Sequence, residues 1–114
     1  MLKSEREAQA ERGFDECLLD SIDEGLGIIL GEKFKGSFYE LIEQKYQMTR
    51  SSLPNRLDVL AHVLSAVLGN SGGAVMGGAI AKRFYSRLGL QFVQKPNHSL
   101  QNYVTDAKAV MPAK

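Results

Sequence analysis

Residues 14–31 read FDECLLDSIDEGLGIILG, and their spacing decides the fold class. Phe14, Leu18, Leu19, Ile22, Leu26, Ile29 and Leu30 return at intervals of a helical turn, the mark of one apolar helix face. Glu16, Asp20, Asp23 and Glu24 take the opposite face. Gly31 is placed to stop the helix, as the residue after its C-cap. Gly25 falls in the middle of the apolar face, where glycine costs about 1 kcal/mol against alanine. Its expected use is close approach by another backbone.

The same reading extends outward. Residues 1–12 are polar, charge-alternating and rich in good helix formers, a frayed or solvent-exposed helical lead-in, and Gly13 is placed to break it from the helix that follows. Downstream, 33–47 forms a second helix with Phe34, Phe38, Leu41, Ile42 and Tyr46 on its stripe. MTRSSLPN, 48–55, is a turn. Pro54 suits a first helical turn, and Ser51 or Ser52 is a candidate N-cap. A third helix carries Leu57, Leu60, Val63, Leu64, Val67 and Leu68 and ends at Gly69. GNSGG, 69–73, connects it to a fourth, 74–88, with Val75, Met76, Ile80, Phe84 and Leu88 inward and Gly89 closing it. Leu90 to Val93 suits one short β element. Ser99 is a good N-cap for a last helix, 100–110. The expectation is a mainly α fold: a compact bundle of four or five helices with at most one short β element, a single helical domain over 13–111.

Bulk properties agree. A chain of 114 residues with 44% apolar and 24% charged residues is ordinary for one globular domain. Tryptophan is absent and nine residues are aromatic, so aliphatic side chains must carry most of the core. Cys17 is the only cysteine, which excludes an internal disulfide and zinc-type spacing. The start lacks the apolar stretch of a signal peptide, so the expected setting is the cytoplasm. Charge is segregated: residues 1–32 hold nine acids against three bases, and 33–114 hold four acids against eleven bases. The two parts should attract one another or present faces of opposite sign.

Several features invite a function. Gly69, Gly73, Gly77 and Ala81 recur every fourth residue. No G-x-G-x-x-G and no Gly-Lys-Ser/Thr accompanies them, so a phosphate loop is not supported. A small-residue face at Gly73, Gly77 and Ala81 lets a helix approach closely, within the domain or across a homodimer. Val59–Ala81 is long enough to cross a bilayer, but its polar glycine break suits a surface turn, so no membrane span is expected. The stripe Glu16, Asp20, Asp23, Glu24 is a solvated face or a docking surface for a basic partner. A calcium site would want six to eight oxygens, usually from a loop. Lys82, Arg83 and Arg87 cluster on the fourth helix. They could bind nucleic acid, yet a pI of about 7.9 is below that of a dedicated binder, and the cluster could face the acidic first helix instead. His62 reads as a packed histidine, and His98 sits in a loop without a recognisable partner.

Much of the chain also resembles a known family. FDECLLDSIDEGL at 14–26, Leu30-Gly31-Glu32, Phe38-Tyr39-Glu40-Leu41 with Tyr46, and Leu53-Pro54-Asn55 are similar to a small archaeal helical domain. So are Leu68-Gly69, Ile80-Ala81-Lys82-Arg83-Phe84-Tyr85, Leu88-Gly89-Leu90 and Ser99-Leu100-Gln101-Asn102-Tyr103-Val104. That domain is described as uncharacterised and as a Nitrosopumilus-type signal-output domain. The resemblance runs over about residues 14–108, rests on caps, core positions and glycines, and implies a non-enzymatic output or interaction module. It supplies no catalytic, cofactor or metal residues. The expected function is therefore protein–protein interaction through 16–24 or 73–81, with a nucleic-acid-binding regulator using Lys82, Arg83 and Arg87 as the alternative.

Overall fold

The computed structural model describes residues 5–110, with side chains from Gly13 onward. The lead-in's side chains, and residue 111 of the expected domain, lie outside the described residues. Four α-helices, α1 (Glu5–Leu30), α2 (Glu32–Tyr46), α3 (Leu57–Leu88) and α4 (Leu100–Val110), are joined by one 3-10 helix (Arg50–Asn55). No strand occurs among the described residues, and 90–98 is irregular rather than β.

Helix α1 runs through Gly13 without a break, so the expected interruption there does not occur. A single glycine costs about 1 kcal/mol, which neighbouring good helix formers outweigh. Gly31 does end α1, at φ +90, and the chain turns at once into α2. Leu18, Ile22 and Leu26 are buried and form the centre of the core. Gly25 lies under Ile80 of α3: a Cβ there would sit 2.8 Å from Ile80 Cγ1. The glycine on the apolar face thus admits another helix, as its position suggests.

The expected hairpin of two helices appears as one bent helix, α3. Only Gly69 leaves helical geometry, at φ 82 and ψ 166, and residues 70–73 are already helical. The turn is one residue, not five. Along a straight helix, residues 65 and 73 would stand about 12 Å apart. Here a Cβ on Gly73 would come within 3.0 Å of the Ser65 backbone nitrogen, so the second arm folds back on the first. Leu57–Leu88 has the length and apolarity of a membrane-crossing segment. The bend interrupts it, and Leu60, Leu64, Met76, Ile80 and Phe84 are buried within the bundle.

Pro54 lies inside the 3-10 helix rather than in the first turn of α3. Ser51 and Ser52 do not cap α3. The Arg56 carbonyl receives its first N–H groups, from Val59 and Leu60, while the buried Leu53 anchors the turn. Ser99 caps α4 as expected. Its hydroxyl accepts the Asn102 N–H at 3.1 Å, and the Asn102 side chain accepts the Ser99 N–H at 3.0 Å. This reciprocal pair has the logic of a capping box, with Asn in the acidic partner's place.

Candidate functional site

The acidic face of α1 and the basic face of α3 meet. Glu24 receives Arg83 at 2.6 Å and Arg87 at 2.5 Å, one guanidinium on each carboxylate oxygen. The Arg83 hydrogen bond is the largest cause holding the Glu24 carboxyl below its usual range. One residue back, Asp23 accepts both the Tyr39 hydroxyl and a two-pronged contact from Arg50, whose Nε lies 3.0 Å from Oδ1. Burial alone would raise the Asp23 carboxyl, but the Arg50 and Tyr39 hydrogen bonds overcome it and the net shift is downward. Burial and the Asp23 contact push the Tyr39 phenol well up.

Of the four acids on the candidate docking stripe, two therefore hold the fold together. Asp23 pins α1 to α2 and the 3-10 helix, and Glu24 pins α1 to α3. Glu16 and Asp20 remain exposed, Asp20 with Arg50 at 3.8 Å. Arg83 and Arg87 of the candidate nucleic-acid face are drawn into the same seam, and Lys82 is exposed. Arg50 and Tyr39 were not expected as partners of Asp23. They lie 27 and 16 residues away in sequence, so no local spacing marks them.

The small-residue face is spent inside the molecule. Gly73 abuts Ser65, Gly77 lies beneath Leu100, and Ala81 is fully buried. Beside them is a groove of about 540 Å³, walled by Ala61, Leu64 and Ser65 on the first arm of α3, by Asn70, residues 73–75, Gly77 and Gly78 on the second, and by 94–100. Gly78 opens its floor: a Cβ there would meet nothing within 4 Å. At the loop side, His98 Nε2 lies 2.7 Å from Asp106 Oδ2. This pairing has no sequence signal, because it spans eight residues across a helix start.

Five residues expected on apolar stripes stand outside the core. Ile29 is 49% and Phe34 62% exposed, and Val75 is 70% exposed. Leu41 and Val67 also reach solvent. Ile29, Phe34 and the neighbouring Ile28, 63% exposed, gather within seven residues around the Gly31 turn. A shallow depression beside Ile28 is lined by Asp20, Asp23, Glu24 and Glu32, with Lys35 and Arg87. No group of three His, Cys, Asp or Glu side chains that could hold a metal ion occurs among the described residues. His62 is exposed, its ring edge-on to Tyr46, and not packed as its position suggested. Neither depression includes Cys17 or His62.

No family model, curated protein or solved structure matches the chain.

Proposed function

We propose that this domain is a non-enzymatic protein–protein interaction or signal-output module of the cytoplasm, and that it receives its partner at the α1–α2 corner. The observation that carries this reading is the exposure of Ile28, Ile29 and Phe34 together around Gly31. Contiguous large apolar side chains in water mark interaction surfaces, and covering them gains roughly 25 cal/mol per Å². The exposed carboxylates of Asp20 and Glu32 border the corner. The partner that fits is an apolar protein surface edged by lysine or arginine, whose charges meet these acids at the rim. The resemblance of 14–108 to an archaeal signal-output domain points the same way.

The nucleic-acid alternative is weakened by the seam. A phosphate would have to displace Glu24 from Arg83 and Arg87 before it could be bound by them.

The test compares affinity capture by the wild type with capture by an Ile28→Ser, Phe34→Ser double variant, and separately by Asp20→Lys. Glu24 is left intact because it holds α1 to α3. The expected result is loss of the captured protein with the double variant, weaker capture with Asp20→Lys, and an unchanged circular dichroism spectrum. Capture equal to wild type by the folded double variant would remove the corner as the site. Light scattering at rising concentration reads whether the partner is a second copy, and labelled DNA at low salt checks the alternative.

A further inference from the structure

Helix α3 is bent at one residue. Residues 57–68 and 70–88 keep helical geometry, and Gly69 between them sits at φ 82 and ψ 166, a region of backbone space that essentially only glycine enters. Space is not the constraint: a Cβ on Gly69 would meet nothing within 4 Å. The hairpin therefore depends on the backbone freedom of this glycine, and no loop separates the two arms. Turned to helical angles, Gly69 would make α3 one straight rod of about 48 Å.

The bend brings two units together. Residues 70–110 cohere: Gly77 lies beneath Leu100, Tyr85 donates to the Tyr103 carbonyl at 2.7 Å, and the Tyr103 hydroxyl accepts the Lys95 N–H at 2.8 Å. This unit meets α1 through Ile80 over Gly25, Phe84 edge-on to Phe14 at 5.0 Å, and Arg83 and Arg87 on Glu24. It meets the first arm of α3 at Gly73 against Ser65. Ser65 and Gly73 stand four residues on either side of Gly69. Two straight α3 helices crossing antiparallel at Gly69 would set Ser65 of one copy against Gly73 of the other, and the reverse, about a two-fold axis. The pairing that the bend makes within one chain is thus the pairing that a closed dimer makes between two.

We propose that this chain exchanges residues 70–110 with a second copy by straightening α3 at Gly69. In the exchanged dimer, Arg83 and Arg87 of each copy bind Glu24 of the other, and Ile80 of each covers Gly25 of the other. The contacts between the units are the same in kind as in the monomer, so hinge preference and concentration set the balance. Exchange of an identical element is a low-cost route to a dimer, and short hinges invite it. Ile28, Ile29 and Phe34 lie wholly in the part that stays, so each dimer presents the α1–α2 corner twice. The exchange does not rest on what that corner binds.

The test is size-exclusion chromatography with light scattering on the full chain, refolded from urea at concentrations rising into the millimolar range. The wild type is expected to give a dimer fraction that grows with concentration and reverts slowly on dilution. Gly69→Ala disfavours the bend and favours the rod. Alanine's helix preference contributes about fivefold at each hinge, and the dimer has two, so its dissociation constant should fall by about 25-fold or more. A flexible Gly-Ser insertion after Gly69 gives the arms slack and should keep the chain monomeric. In a dimer refolded from isotope-labelled and unlabelled chains, the Gly25–Ile80 and Phe14–Phe84 NOEs should appear between chains. The Ile28→Ser, Phe34→Ser variant should dimerise like the wild type, which separates exchange from association through the corner. Absence of a wild-type dimer after refolding would overturn the proposal, and decides the matter even if Gly69→Ala does not fold. So would a folded Gly69→Ala that stays monomeric, an insertion variant that dimerises like the wild type, a dimer lost in the corner variant, or a dimer whose Gly25–Ile80 NOE stays within one chain.

Discussion

Two glycines on one helix show how a single residue type does opposite work. At Gly73 an added Cβ would lie 3.0 and 3.1 Å from the Ser65 nitrogen and Cα, atoms of backbone that cannot swing aside. At Gly78 it would enter open groove. Gly73→Ala should therefore force the arms of α3 apart and cost about 1–3 kcal/mol. Gly78→Ala should stabilise by about 0.4–1 kcal/mol, through a lower entropy of the unfolded chain. Urea denaturation of both variants checks the pair, and equal shifts would mean the arms do not pack at Ser65. The fourfold repeat of small residues was legible in the sequence, because helical spacing is local. Which neighbour each would meet was not: Gly25 meets Ile80, 55 positions on, and nothing near either residue names the other.

Elements were legible where their ends carry chemistry. Gly31, Gly89 and Ser99 stop or start helices by local rules, and the structure uses each of them so. Helix α4 has only 11 residues, short enough that an isolated helix would be marginal. Ser99→Ala should cost about 1 kcal/mol by leaving the Asn102 N–H without its acceptor, with Ser99→Asp restoring most of it; thermal melts of the two variants read the difference. Misread elements have physical causes that lie beyond local spacing. Gly13 and residues 70–73 look like breaks, yet helix continues through both: good helix formers flank Gly13, and at Gly73 the packing against Ser65 repays weak local propensity. Phe34 and Leu41 look like core, yet α2 has α1 as its principal neighbour. A helix flanked on one side buries a narrower stripe than its composition offers.

Across the whole molecule the opposed charges close on themselves. Asp23, Glu24 and Asp106 each have a carboxyl held below its ordinary range. A depressed carboxylate adds stability that is fully present above its unfolded value and is lost as pH falls through the folded one. Thermal stability should therefore be nearly flat from neutrality to about pH 5 and fall below about pH 4, followed by circular dichroism melts. Arg50→Ala should lower the plateau and flatten part of that fall, because Asp23 loses its strongest partner; an unchanged acid profile in Arg50→Ala would show that the contact with α1 is not what Asp23 contributes. Sequence alone determined that the chain is helical, that Gly31, Gly89 and Ser99 bound helices, and that residues 1–32 and 33–114 carry opposite net charge, because periodicity, capping and composition act over a few residues. Only the tertiary structure decided that Glu24 answers Arg83 and Arg87, that Asp23 belongs to Arg50 and Tyr39, that His98 finds Asp106, and that Ile28, Ile29 and Phe34 are left in water. Those outcomes depend on how rigid helices pack in three dimensions, and a bend at one residue, Gly69, reorients everything that follows it.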